Sequence, residues 1–178
     1  MKYYTRTGDD GETYLMYGIR VSKDDEVIEA LGNIDELSSV IGLVIANIKD
    51  EKIKDVLYSI QKSLYFIGAE ISDPYSKTIL LEDKDVSFLE KVIDELQDKI
   101  PTIKHFIAPG GSLASCYLHL ARSVCRRAER SVVRLSKKKN LNKNIIPYLN
   151  RLSSLFFVLA LYYNKIEGYK EIEFELKK

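Results

Sequence analysis

From residue 25 onward, apolar side chains recur at alternating steps of three and four, the period of a helix with one buried face. The first run is Val27, Leu31, Ile34, Leu37, Ile41, Val44 and Ile48. On its flank lies a stripe of small residues, Gly32, Ser39, Gly42 and Ala46, suited to close approach of another helix. Asp35 falls inside that stripe and is expected to face a neighbour rather than bulk water. A second helix is expected over 52–71, on Ile53, Val56, Leu57, Ile60, Leu64 and Ile67. Asp73-Pro74 ends it, because a residue before proline avoids helical geometry. A third is expected over 85–99, on Phe88, Leu89, Val92, Ile93 and Leu96, with Asp85 or Ser87 as its cap and Pro101 as its stop. Ser112 suits the N-cap of a fourth helix over 113–137, whose apolar line reads Leu113, Tyr117, Leu120, Val124, Ala128, Val132 and Leu135. The fifth, over 143–166, carries Ile145, Leu149, Leu152, Leu155, Leu159 and Tyr162 and tolerates Pro147 near its start.

The two ends differ. Residues 1–24 hold Gly8, Asp9, Asp10, Gly11 and Gly18 and show no helical period. Residues 171–177 alternate with period two, as a short strand would, either paired with part of 2–17 or frayed. The pattern predicts an all-α protein, an antiparallel five-helix bundle with a glycine-rich N-terminal loop and a strand-like tail. The expected organisation is one domain: loop segment 1–24, bundle 25–166 and tail 167–178.

Composition narrows the classes. At 46% hydrophobic and 30% charged residues, the 178-residue chain is too apolar for disorder. Its charge, 27 minus 26 or +1, argues against a general nucleic-acid binder. The longest apolar run, Leu155 to Tyr163, is short of the roughly 20 residues a membrane span needs. The N-terminus lacks a signal-peptide core, so a cytoplasmic location is expected. Cys116 and Cys125 would lie roughly 13 Å apart on one helix, too far for a disulfide, and read as small buried hydrophobes.

The fourth helix carries Arg122, Arg126, Arg130 and Arg134 at every fourth position, with Arg127 beside them. Like charges at this spacing repel. Glu129 could relieve part of that. The row is either a solvated basic face with stems over apolar surface or an anion site, for which forked guanidinium donors suit phosphate. A second candidate is Thr5-Arg6-Thr7-Gly8-Asp9-Asp10-Gly11-Glu12-Thr13, where glycines expose backbone N–H groups to a phosphate. It lacks the Walker A pattern, and Asp10-Gly11 alone would also suit a hairpin turn. His105 and His119 lack metal-ligand spacing, and His119 reads as a packed core residue. No di-iron Glu-x-x-His pair or nucleophile elbow is present, and Lys137-Lys138-Lys139 reads as a structural helix terminus.

Three blocks stand in order. Tyr4 to Gly11 is followed by Val21-Ser22-Lys23-Asp24-Asp25. Phe106 to Ser112 is followed by Ala121 to Arg130, and Asn150-Arg151-Leu152-Ser153 comes last. Together they resemble the PduO-type ATP:cob(I)alamin adenosyltransferases over roughly residues 3–165. The resemblance implies a homotrimeric five-helix bundle with active sites between subunits. These would transfer the 5′-deoxyadenosyl group of ATP to the cobalt of cob(I)alamin and release triphosphate. It implies that Thr5, Arg6, Thr7, Gly8, Asp9, Asp10, Gly11, Glu12, Thr13, Tyr14 and Lys23 hold ATP. Arg126, Arg127, Ala128, Glu129 and Arg130 would hold phosphates, ribose and Mg²⁺, the metal being carried mainly by ATP, and Asn150 would contact the nucleotide. Arg122 would pair with Asp35 across the subunit interface, and Phe106 would be the apolar wedge on the lower face of the corrin. A cobalamin reductase or an adenosylcobalamin-dependent enzyme is the implied kind of partner. The chain departs from the family pattern at Tyr17, Ile19, Ala108 and Ser154. A non-enzymatic nucleotide- or corrinoid-binding bundle is the alternative. Turnover of ATP to triphosphate separates the two.

Overall fold

The computed structural model describes residues 2–174. A hairpin of β1 (Glu12–Tyr14) and β2 (Arg20–Ser22) leads into α1 (Glu26–Asn47), α2 (Glu51–Ser72) and α3 (Asp83–Gln97). β3 (Phe106–Ile107), α4 (Leu113–Ser136), α5 (Ile145–Ile166) and β4 (Glu173–Phe174) follow. All five expected helices form, with ends set by local polar groups. Asp25 caps α1 by accepting from the Val27 N–H, and Asp50 caps α2 by accepting from Lys52 and Ile53. Glu82 and Asp85 make a reciprocal capping box, which starts α3 two residues earlier than its apolar pattern does. Ser112 accepts from the Ser115 N–H and caps α4.

The most buried helix is α5, packed against α3 and α4; α4 packs in turn on α1, and α1 on α2. Leu37, Ile41, Leu57, Ile60, Leu64, Leu118, Leu152 and Phe156 are among the side chains closed off from water. Full burial of each such side chain contributes about 1.5–3 kcal/mol. By length and apolarity α5 passes for a membrane span, but 61% of its most apolar window is buried inside the bundle. The loop after α2 folds over two buried carboxylates. Glu70 accepts from the Leu80 and Leu81 N–H groups, and Asp73 accepts from Tyr75, Lys77 and Thr78. Burial pushes the Asp73 carboxyl up, but the Thr78 hydroxyl and these backbone donors outweigh it and hold it at about 2.

Further expectations change, among them Phe88, which is exposed on α3. The tail pairs with β3, Phe106 opposite Phe174 and Ile107 opposite Glu173, and not with residues 2–17; positions 175–177 of the expected strand lie outside the described residues. The N-terminal reversal is not at Asp10-Gly11. It lies at 15–19, where Leu15 N–H donates to the Ile19 carbonyl and Tyr17 and Gly18 take positive φ. Cys116 is exposed and only Cys125 is buried. On α4, Leu113 and Leu120 are also exposed, because Ala114, Leu118 and Ala121 face the core instead.

His119 is buried as expected, edge-on to Phe157, with neither ring nitrogen hydrogen-bonded. Burial, and then the Arg122 charge, holds its pKa down to about 4, against 6.5 in the unfolded chain. Stability from the neutral ring is therefore complete above pH 6.5 and is lost as the pH falls towards 4. His119→Leu, which leaves no polar atom unpaired, should flatten the fall in urea midpoint between pH 6.5 and 4. An unchanged slope would contradict the assignment.

Candidate functional site

Two polar surfaces flank the bundle. The first is the outer face of α4. Arg127 turns towards α1, where its Nε donates to Asn33 Oδ1 at 2.9 Å and its Nη2 pairs with Glu36. Glu129 turns towards α5, where its Oε1 accepts from Asn150 Nδ2 at 3.2 Å. At 3.6 residues per turn, Arg126 and Arg130 lie between them, facing outward. Both are exposed, and neither has an ion-pair partner among the described residues. Arg122 is half-buried and its Nε is shielded from water with no hydrogen-bond partner. Burial, and then the Arg126 charge, pulls its pKa below the usual arginine value. A shielded guanidinium beside another cation is a site short of negative charge.

Asn150 does more than meet Glu129. Its Oδ1 accepts from Arg151 Nη1 at 2.7 Å, and Arg151 Nε donates to Glu90 at 2.9 Å. The chain Glu129–Asn150–Arg151–Glu90 fixes the amide flip and aims one Glu129 oxygen at Asn150. Relief of Arg126 by Glu129, expected from their spacing, does not occur: no ion pair joins them. Glu90 and Arg151 were missed as supports, since nothing in the spacing between α3 and α5 reveals that they meet.

The second surface is the N-terminal hairpin. Lys23 Nζ donates to the Gly8 carbonyl at 2.6 Å, and Lys23 N–H donates to the Gly11 carbonyl at 2.8 Å. A Cβ at Gly8 would stand 3.0 Å from the Glu12 carbonyl oxygen, so the close return of the chain leaves little room for a side chain there. Gly11 sits at φ +85° and Arg6 at +62°. Thr5 and Thr7 hydroxyls meet at 2.9 Å. Arg20 pairs with Asp10, and with Glu12 at 2.6 Å, so two acidic loop residues are held by their own hairpin. Arg20 was not among the expected site residues, because only the hairpin pairing, which sets Arg20 opposite Tyr14, brings its side chain within reach of them. The hairpin is tied to α2 through Met16 N–H donating to Ser72 Oγ at 3.1 Å. A groove of about 490 Å³ lies beside it, lined by Met16, Leu31, Asp35, Tyr65 and Gly68 among others. Asp35 is exposed there, so within one chain no helix covers it or the small-residue stripe.

Within one chain these surfaces stay apart. The hairpin is fixed on α2 and the arginine–Asn150 surface on α4 and α5, and no hydrogen bond joins Lys23 or Thr5–Tyr14 to Arg126, Glu129, Arg130 or Asn150. Asp35 and Arg122 likewise form no ion pair.

Phe106 is 81% exposed on β3, a large aromatic ring held over solvent only by its backbone. The turn that follows is tight. Gly111 takes φ +101°, and a Cβ there would lie 2.2 Å from Asn164 Oδ1. Gly111→Ala should therefore lower unfolding stability by about 2 kcal/mol or more, through the strained φ and the displaced amide. An unaltered urea midpoint would refute that close approach.

The fold and these surfaces define a helical bundle carrying an N-terminal hairpin and an arginine row without ion pairs at Arg122, Arg126 and Arg130. A family model for cobalamin adenosyltransferases matches residues 3–163, and the chain belongs to that family. It is 41% identical to a corrinoid adenosyltransferase of Bacillus subtilis over 98% of this chain and 93% of that protein. It is 38% identical to the human corrinoid adenosyltransferase MMAB over 96% of this chain and 72% of that one. Its backbone matches a variant PduO-type ATP:corrinoid adenosyltransferase from Lactobacillus reuteri complexed with cobalamin and ATP. The TM-score is 0.94 at 31% identity, covering 99% of this chain and 98% of that one.

Proposed function

We propose that this chain transfers the 5′-deoxyadenosyl group of ATP to the cobalt of cob(I)alamin. One observation carries the reading most directly: Arg122, Arg126 and Arg130 lack counter-charges beside a Glu129 held in place by Asn150. That surface suits a triphosphate, and the matched family performs the reaction that expels one.

Cob(I)alamin is itself the nucleophile, so no side chain has to be activated to attack. The cobalt electron pair forms the bond to C5′ of ATP, the C5′–O bond breaks, and triphosphate leaves with those electrons. The protein holds cobalt in line with C5′ and stabilises the charge that develops on the leaving oxygens. Lys23, Arg126 and Arg130 supply fixed cations, while the Gly8–Gly11 turn supplies close backbone. Mg²⁺ fits as a metal held chiefly by phosphate oxygens, with Glu129 as the protein carboxylate nearby, and it would neutralise part of the triphosphate charge. Phe106 caps the lower corrin face. There it keeps an axial donor from cobalt(II), whose d-orbital energy such a donor would raise, and so makes reduction to cobalt(I) easier.

A homotrimer would bring the hairpin of one subunit to the arginine face of the next and let Asp35 meet Arg122. The exposed small-residue stripe on α1 and the exposed Leu113 and Leu120 on α4 suit such contacts. A cytoplasmic enzyme of this kind would take its corrinoid from a reductase and pass its product to an adenosylcobalamin-dependent enzyme.

Product analysis tests the reaction. Purified protein, ATP, Mg²⁺ and chemically reduced cobalamin should yield light-sensitive adenosylcobalamin and triphosphate in equal amounts. Release of ADP, or binding of both substrates with no product, would contradict it; the latter would point to a carrier or sensor.

A further inference from the structure

Asn164, near the end of α5, is 1% exposed, and its side chain joins three stretches of chain. Oδ1 accepts from the Ser112 N–H at 2.9 Å. Nδ2 donates to the Gly110 carbonyl at 3.0 Å and to Glu171 Oε1 at 2.9 Å, so both amide hydrogens are used. Its own carbonyl accepts from the Tyr169 N–H at 2.8 Å, closing the turn through Gly168 by which the chain reverses after α5. The chain then runs back along the segment that carries Phe106. Ala108 N–H donates to the Ile172 carbonyl at 2.9 Å, and Phe106 sits opposite Phe174.

One buried amide therefore holds the Phe106 segment at both ends. It holds residues 110–112 directly and residues 106–108 through Glu171 and the β4 strap. The Ser115 hydroxyl also donates to the Gly110 carbonyl at 3.1 Å, but residues 106–108 rest on the strap, since the Phe106 ring is largely exposed and a pair of two-residue strands is marginal alone. The Asn164–Glu171 bond has a charged acceptor, which makes it stronger than a neutral one.

We propose that Asn164 and Glu171 are positioning residues for the reaction: through the β4 strap they set the ring of Phe106 against the lower face of the corrin. This rests on the role given to Phe106 above. Releasing the strap leaves the ring present but mis-set, so an axial donor reaches cobalt(II) and its reduction slows. Cob(I)alamin, which carries no lower ligand, reacts as before.

Glu171→Ala, Glu171→Gln and Phe106→Ala should each be assayed with pre-reduced cob(I)alamin and with cob(II)alamin plus a chemical reductant. Electron paramagnetic resonance of cob(II)alamin bound with ATP gives the coordination state. Glu171→Ala is expected to stay folded at the assay temperature, with a melting temperature lower by a few degrees, and to keep its cob(I)alamin rate. It should lose about tenfold in the cob(II)alamin rate, with a smaller four-coordinate signal. Glu171→Gln should restore both, because its amide oxygen accepts the same bond. Wild-type behaviour of Glu171→Ala beside an impaired Phe106→Ala would overturn the strap and leave the wedge. A fully active Phe106→Ala would remove the wedge and the strap with it. Equal losses on both substrates, or no restoration by glutamine, would show a general structural role and overturn the proposal. Absence of turnover by the wild-type protein would instead refute the proposed reaction.

Discussion

Arg126→Ala is expected to lower kcat/KM for adenosyl transfer by about 10²–10³-fold, the usual cost of removing one preorganised group that stabilises developing charge. Arg126 faces outward between the α1-facing Arg127 and the α5-facing Glu129, and it has no ion pair of its own to lose. Its removal should leave the melting temperature within a degree or so, since exposed substitutions of this kind change stability by less than about 0.5 kcal/mol. Arg126→Lys should recover only part of the rate, because an ammonium offers a point charge where the guanidinium offers a planar fork. Initial rates at saturating and limiting ATP separate binding from chemistry. A variant within threefold of wild type would exclude Arg126 from the phosphate site.

Phe106→Ala is expected to divide the two cobalamin substrates. With cob(II)alamin and a reductant the rate should fall by about 10²-fold, while pre-reduced cob(I)alamin should be affected far less. The ring is 81% exposed and contributes little packing, so folding should not change. The loss therefore reports on cobalt coordination and not on stability. Equal rates for Phe106→Ala and wild type with cob(II)alamin would remove the wedge.

The helices were legible because each carries its own signal. Three-and-four spacing marked the faces, Ser112 and Asp73-Pro74 marked ends, and both kinds of signal are local. The capping box at Glu82–Asp85 was also present in the residues, but it precedes the apolar pattern that defined α3. The apolar line of α4 was misplaced at its start because alanines fill the core face there while Leu113 and Leu120 point outward. A leucine on the surface follows the same period as one inside. The partner of the tail was not legible, since strand pairing depends on contacts far apart in sequence; Phe106 meets Phe174 only after α4 and α5 have packed.

The site divides in the same way. The arginine row and the glycine turn stood out as residue patterns with a chemistry attached. What holds them did not. Arg20 reaches Asp10 and Glu12 through hairpin register, Arg151 reaches Glu90 through helix packing, and Arg127 is taken up by Asn33 and Glu36. Each of these contacts satisfies a charge inside the chain, which leaves Arg122, Arg126, Arg130 and Arg134 without an ion pair on α4 among the described residues.

In the proposed reaction, adenosyl transfer occurs where the hairpin of one subunit meets the arginine face of another. Lys23→Ala and Arg126→Ala, each inactive alone, should be unfolded together, refolded as mixed oligomers and assayed for adenosylcobalamin. A site built across subunits predicts that about one quarter of the sites in a random mixture carry both native residues, so activity returns to about that fraction of wild type. A mixture as inactive as its components would contradict a shared site and place both residues in a site made by a single chain.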